Sequence, residues 1–375
     1  MTFCSDDRAQ SLQVGAVLLF GFLILGLTIY QTQGVPEENK QVEFEHSQEV
    51  ADEMVMFYNA IFDTVVDGNP RTVSVTLGTS YNDRLFFIYP PPASGTLQTT
   101  DGEELRLHNV TAISNPDTSQ SFDNYWNNET RSYTTRAITY RPNYRELRGT
   151  ADYRIEYGIL AAQYPEITQL RIADNHQPII EGNEISLVVF DGELQSVDVD
   201  TESVIPERVT ESTDITVTND SNTGPITLEL PTGLSEDNWN TSRNSSILHG
   251  EKNVENVSVS GGTAKIRLNG TKEYTLTLHK IDLTADATAP SPTYLQNDSY
   301  DGNDLSFQIR DEFNDPVEES VSVWVFNSTR SLEREVDGGA GTVTLSSSDC
   351  GVSLEEDVGD AAPYETINVT ESCPP

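Results

Sequence analysis

Only five lysines stand among the 375 residues: Lys40, Lys252, Lys265, Lys272 and Lys280. There are 22 basic residues against 60 acidic ones, so the formal net charge is −38. A surface so dominated by one sign disfavours nucleic acid and anionic membrane faces as partners, because both are negatively charged. It also strains a compact fold through self-repulsion in dilute buffer. Near 1 M salt the Debye length shrinks to about 3 Å and the repulsion is screened. The composition therefore fits a halophilic protein working in concentrated salt. Cysteine is equally scarce, with Cys4 near the start and Cys350 and Cys373 near the end. Three cysteines do not make a disulfide scaffold. The five histidines, His46, His108, His176, His249 and His279, have no metal-ligand spacing. No nucleophile elbow or phosphate-cradling glycine loop is present. Asn297, Ser299, Asp301 and Gly302 echo the start of a calcium loop, but Gln308 stands where the closing acid belongs, so the segment reads as a turn. Asp198 and Asp200 read as solvated charge. No enzyme activity, metal or cofactor is expected.

Long apolar runs are almost as rare. Hydrophobic residues make up 36% of the chain, too few for one large enzyme core, so several modest β domains are expected. The exception is Leu12 to Tyr30, nineteen residues without a charge. As a helix it spans about 28 Å, close to the hydrocarbon thickness of a bilayer. Nothing else in the chain is apolar enough to surround it. A single membrane helix is therefore expected, and it defines a short side and a long side.

The short side carries Asp7-Arg8-Ala9-Gln10 directly before the apolar run, and no small-residue cleavage site follows Tyr30. This resembles the class III signal peptide of archaeal type IV pilins and pilin-like proteins. The resemblance implies cleavage between Ala9 and Gln10, which removes Met1 to Ala9. Bacterial pilins carry a glutamate five residues into the mature chain; here that place is Val14. Filament assembly is thus less firmly implied than processing.

Val35-Pro36 is expected to end or kink the membrane helix. A second helix is expected over Glu38 to Phe62, with Val50, Met54, Phe57, Ile61 and Val65 on one face. Asp67-Gly68-Asn69-Pro70 stops it. Period-two alternation then predicts strands at Thr72 to Leu77, Arg84 to Tyr89, Glu104 to Val110, Thr135 to Tyr140, Arg154 to Leu160, Leu170 to Ile172 and Ile185 to Phe190. Val199 to Arg208 is polar and is a candidate boundary. Strands follow at Asp214 to Thr218, Ile226 to Leu230, Val254 to Ser260, Thr263 to Leu268 and Glu273 to Leu278. Gly261-Gly262 marks a hairpin. Leu234 to Leu248 should hold a short capped helix with Trp239 against the sheet. The aromatic loop Phe122 to Asn128 offers Tyr125 and Trp126 as the rim of a binding site.

Ala287 to Pro292 reads as a linker. Beyond it, Leu305 to Arg310, the acidic turn Asp311 to Val317, Val321 to Phe326 and a glycine turn before Thr342 to Leu345 resemble an invasin-type immunoglobulin-like repeat. The expected organisation is a leader at 1–9, a transmembrane helix at 10–33 and an amphipathic helix at 34–68. A β domain follows at 69–200, then a second β unit or a continuation of the first at 201–286, and an immunoglobulin-like β-sandwich at 287–375. The fold class is mostly β.

Ten N-x-S/T sites fall on the long side: Asn109, Asn128, Asn219, Asn240, Asn244, Asn256, Asn269, Asn297, Asn327 and Asn368. With the Cys350 and Cys373 pair they place that side outside the cell. A disulfide there would close a loop of 23 residues, worth about 3 kcal/mol; the alternative is two buried thiols. The expectation is a single-pass, pilin-like surface glycoprotein with a structural or adhesive role, self-associating through its helix or meeting pilus and envelope proteins. The competing expectation is an extracellular binding module for a solute or polysaccharide.

Overall fold

The computed structural model describes residues 7–84, 90–113, 125–171, 179–211, 213–219, 223–242, 246–284, 290–317, 321–329, 332–338, 340–355, 361 and 363–369, with backbone alone at 7–12, 171, 332–338, 340–341 and 363. A helix, α1, spans Asp7–Ile29; a single π-turn covers Tyr30–Gly34; and α2 runs Val35–Asp67. The three form one unbroken rod, so Pro36 does not end the helix as expected. Proline has no N–H and its ring crowds the carbonyl one turn back. The wider turn relieves this: Val35 N–H bonds to Tyr30 O, five residues back. The Thr28 and Thr32 hydroxyls donate to Ile24 O at 2.8 Å and Thr28 O at 2.9 Å. Gly68, at φ 73°, closes α2 by donating its N–H to Thr64 O at 2.9 Å.

From Val35 onward the helix buries one stripe. It reads Val35, Asn39, Glu43, His46, Val50, Met54, Phe57, Ile61 and Val65. The spacing of three and four keeps these residues on one face. The lower half packs against Val75, Leu97, Tyr140, Ile155, Phe190 and Ile281.

These partners belong to a β domain made of three large sheets and a small pair. The sheet beneath α2 is antiparallel, in the order Gln195–Asp198, Ser94–Thr99, Ile138–Asn143, Asp152–Glu156, Ile159–Gln163, Thr168–Arg171. A second sheet joins Ile180–Glu181, Glu184–Asp191, Tyr274–Asp282, Ile215–Thr218 and Thr111–Ala112, with Glu207–Arg208 also on Tyr274–Asp282. A third holds Val254–Ser260, Thr263–Leu268, Thr227–Pro231, Glu103–His108 and Arg131–Thr135. Val73–Thr76 pairs with Thr201–Val204. Glu184–Asp191 and Tyr274–Asp282 run parallel, against the antiparallel pattern expected throughout. Their sheet is the middle layer. Leu187 and Val189 face one core, while Val188 and Phe190 face the other. That is why EISLVVFD is almost continuously apolar.

Thr227–Pro231 lies between Glu103–His108 and Thr263–Leu268. Strands from 69–200 and 201–286 are thus interleaved in one unit. Val199 to Arg208 is no boundary, because it supplies strands to two sheets. The strand expected at Thr135 to Tyr140 is instead a corner. Arg131–Thr135 belongs to one sheet and Ile138–Asn143 to another. The strand expected at Arg154 to Leu160 is a hairpin turned at Tyr157 and Gly158, with φ of 49° and 93°. Arg84 lies in no strand, and 85–89 are outside the described residues. Gly261 and Gly262 turn a hairpin with φ of 58° and 79°. Ser235 caps the short helix Glu236–Trp239, and Trp239 is fully buried.

The last unit is a sandwich of two antiparallel sheets. One has the order Tyr294–Tyr300, Asp304–Arg310, Ala340–Thr344; the other Leu332–Gly338, Val321–Asn327, Asp349–Ser353, Thr366–Asn368. Leu305, Phe307, Ile309, Val323, Val325 and Val352 fill the space between them. Seven strands in two facing sheets make the immunoglobulin-like arrangement expected here.

Candidate functional site

The first third of the helical rod is bare. The large apolar side chains from Val14 to Ile29 are 41–73% exposed. A window within this stretch reaches a mean hydropathy of 2.1 with none of it buried. Apolar surface of this extent needs an apolar surrounding. Ala9 and Gln10, the expected cleavage pair, lie on the backbone of α1 just before it.

Where the bare segment ends, polar groups fasten the helix to the β domain. Tyr30 OH donates to Glu38 Oε1 at 2.7 Å, and Arg84 bridges Glu38 at 3.0 Å while donating to Asn39 Oδ1 at 2.9 Å. One turn on, the Glu43 carboxylate is fully buried. It accepts Tyr81 OH at 2.5 Å and the backbone N–H groups of Arg145, Glu146 and Leu147 at 2.8, 2.9 and 2.6 Å. Burial pulls its pKa up, but these four donors outweigh it and hold the group below the usual glutamate value. His46 follows, with Nε2 at 3.1 Å from Thr76 O and Nδ1 at 2.6 Å from Tyr144 OH. A carbonyl only accepts, so Nε2 carries the proton and Nδ1 accepts. Burial lowers the His46 pKa and keeps it neutral. Below this point the buried stripe is apolar, while Glu53 at its margin accepts the Thr76 N–H at 2.7 Å and the Thr76 hydroxyl at 2.9 Å.

A second junction joins the β domain to the sandwich, and it consumes the aromatics expected to line a binding site. Trp126 is fully buried and Tyr125 is 6% exposed. The Tyr125 ring stacks on Tyr294 at 4.6 Å, with the Arg131 guanidinium 3.8 Å above it. The rim expected there is therefore a domain contact. The acidic turn of the sandwich plugs the same junction. Phe313 packs on Tyr133 at 5.2 Å, Tyr133 OH donates to Glu312 O at 2.9 Å, and Asp315 Oδ1 accepts Thr213 N–H at 2.8 Å. Burial, with Asp315 and Glu312 beside it, pushes Asp311 up to about 6.

A cleft of about 330 Å³ opens beyond the end of α2, with His279 in its wall. Ser186 Oγ stands 3.1 Å from His279 Nε2. The two are only 6% and 7% exposed and sit on neighbouring strands, so the pair reads as a buried cross-strand hydrogen bond. Burial lowers His279 to about 4. Among the described residues no group of three His, Cys, Asp or Glu side chains could hold a metal.

Among the sequons, Asn240, Asn269 and Asn327 each begin a tight turn. Their Oδ1 atoms accept the N–H two residues on, at 2.8, 2.9 and 3.0 Å. The Thr271 and Thr329 hydroxyls donate to the same Oδ1 atoms of Asn269 and Asn327 at 2.8 and 2.7 Å. Asn109 is different: at φ 61°, its Nδ2 donates inward to Pro225 O at 3.0 Å. Asn128 Oδ1 accepts the Thr223 hydroxyl at 2.8 Å. Asn219 is half-buried, Asn256 and Asn368 are exposed on strands, and Asn297 lies half-buried on a strand. Asn244 lies outside the described residues. Cys350 is buried and disulfide-bonded, whereas Cys373 lies outside the described residues. The polar stretch Asn39, Glu43, His46 was missed at the sequence level, although its spacing continues the apolar stripe.

No family model matches this chain, and no solved structure matches it. A stretch of 93 residues is 32% identical to an uncharacterised protein of Archaeoglobus fulgidus. The match covers 25% of this chain and 16% of the length of that protein.

Proposed function

We propose that this chain is a pilin-like, single-pass surface glycoprotein with a structural or adhesive role, its β domain and sandwich held outside the cell in concentrated salt. One observation carries the reading: a single rod is uncharged and bare in its large apolar side chains from Val14 to Ile29, and embedded in a β domain at its other end. The bare end suits a bilayer or the equivalent helices of other copies. The polar seam beginning at Tyr30 and Glu38 then marks the exit from the apolar surroundings. The class III-type motif ahead of the helix supports the same reading, and the likeness to an archaeal protein is in keeping with an archaeal origin. The test is N-terminal analysis of protein recovered from the cell envelope. A mature start at Gln10 is expected. An intact Met1 would remove the pilin-like version and leave a plain anchor, while recovery in the soluble fraction would remove both.

A further inference from the structure

Three sequons that lie far apart in sequence, those at Asn109, Asn128 and Asn269, converge on Thr223 to Pro225. Asn109 reaches Pro225 O, and Asn128 accepts the Thr223 hydroxyl. A Cβ placed on Gly270, beside Asn269, would stand 3.5 Å from Pro225 and 3.6 Å from Asn219 Oδ1. The carboxamides there have been put to different uses. Asn109 spends Nδ2, the atom a glycan would occupy, on the protein's own backbone, with Thr223 O as a second acceptor at 3.4 Å. Asn269 turns Oδ1 toward its own sequon, where Thr271 supplies both N–H and hydroxyl. The amide plane then directs Nδ2 to the opposite side, and it has no hydrogen-bond partner among the described residues. Asn240 makes the same turn with the Ser242 N–H, and among the described residues its Nδ2 also has no hydrogen-bond partner.

We propose that Asn240 and Asn269 carry N-linked glycans and that Asn109 does not. This rests on the exterior placement of the β domain. The reaction needs a host transferase and a glycosyl donor activated by a lipid-borne phosphate leaving group. Nδ2 bonds to the anomeric carbon, the anomeric C–O bond breaks, the phosphate departs with the electron pair, and one Nδ2 proton goes to a base of the transferase. Asn109 would have to surrender a hydrogen bond from its Nδ2 to accept the same bond, leaving a backbone carbonyl short of a donor. Asn240 and Asn269, each half-buried, give up no Nδ2 hydrogen bond among the described residues.

The test is glycopeptide mass spectrometry on full-length protein from native membranes, run beside protease shaving of intact cells. Glycan mass on the peptides bearing Asn240 and Asn269, and none on the Asn109 peptide, is the expected result. Thr271→Ala, which keeps Asn269 but destroys its sequon, should lower the intact mass by one glycan, whereas Asn109→Gln should leave glycan mass unchanged. A glycan on Asn109, or bare Asn240 or Asn269 in shaved and therefore exterior protein, overturns the assignment while the topology stands. Resistance to shaving with every sequon bare overturns the exterior reading along with it.

Discussion

On either side of the π-turn at Tyr30–Gly34 the same helix behaves as two different objects. Before it, Leu19 and Phe22 are 70% and 73% exposed; after it, Met54, Phe57 and Ile61 are fully buried. Hydrophobicity alone does not separate the halves, since both present apolar side chains. The pattern does. The first half is apolar all round, which no folded domain of this size can cover. The second is apolar on one stripe, with Glu45, Glu49 and Asp52 on other faces, so one β domain suffices to cover it. Between them the seam is polar, and Glu43 and His46 find partners that only the β domain supplies.

The contrast is sharpest at Phe57. Phe57→Ala empties a fully buried ring from the core and should cost the β domain about 3–5 kcal/mol of stability. Leu19→Ala should change it by less than about 0.5 kcal/mol. Both are read by denaturant unfolding of the full chain in detergent. Equal effects would erase the distinction between the halves.

Leu19→Arg reverses the comparison. A charge near the middle of the bare segment should weaken membrane insertion by about 3 kcal/mol, roughly a hundredfold in partitioning, yet leave the unfolding of the β domain where it was. Flotation of membranes on a density gradient reads the first quantity. Undiminished membrane association would show that the bare segment does not enter a bilayer.

A smaller effect belongs to the seam. Glu43→Gln should cost about 2 kcal/mol at neutral pH, because hydrogen bonds to a charged acceptor are lost. The folded-state pKa of Glu43 lies below its ordinary value of 4.5. Its contribution is thus fully present above about 4.5 and is lost as pH falls through the lower, folded value. Unfolding followed from pH 7 down to pH 3 should show a steeper loss for the native chain than for Glu43→Gln. Parallel curves would mean that the carboxylate does not secure the loop at Arg145 to Leu147.

Much of this architecture is written locally. The run from Leu12 to Tyr30, the stripe from Val50 to Val65, the Gly261-Gly262 hairpin and the Ser235 cap are all legible, because each depends on residues within a few positions of one another. Thr135 to Tyr140 alternates as a strand should, but alternation cannot reveal that the chain turns a corner at Arg136 and Ala137 to change sheets. Tyr125 and Trp126 look like a binding surface until Tyr294 and Phe313, almost two hundred residues away, are seen to close over that junction.

The sequence by itself determined an acidic, mostly β chain carrying one apolar helix, since charge, composition and short-range period need no partner. Only the tertiary structure decided that the helix runs unbroken past Pro36 and that 69–286 is one interleaved domain. Only it separated the Asn109 carboxamide, spent on the fold, from that of Asn269, turned away from it. Those outcomes depend on which distant strands pair, and each strand's own pattern is satisfied equally well by many partners.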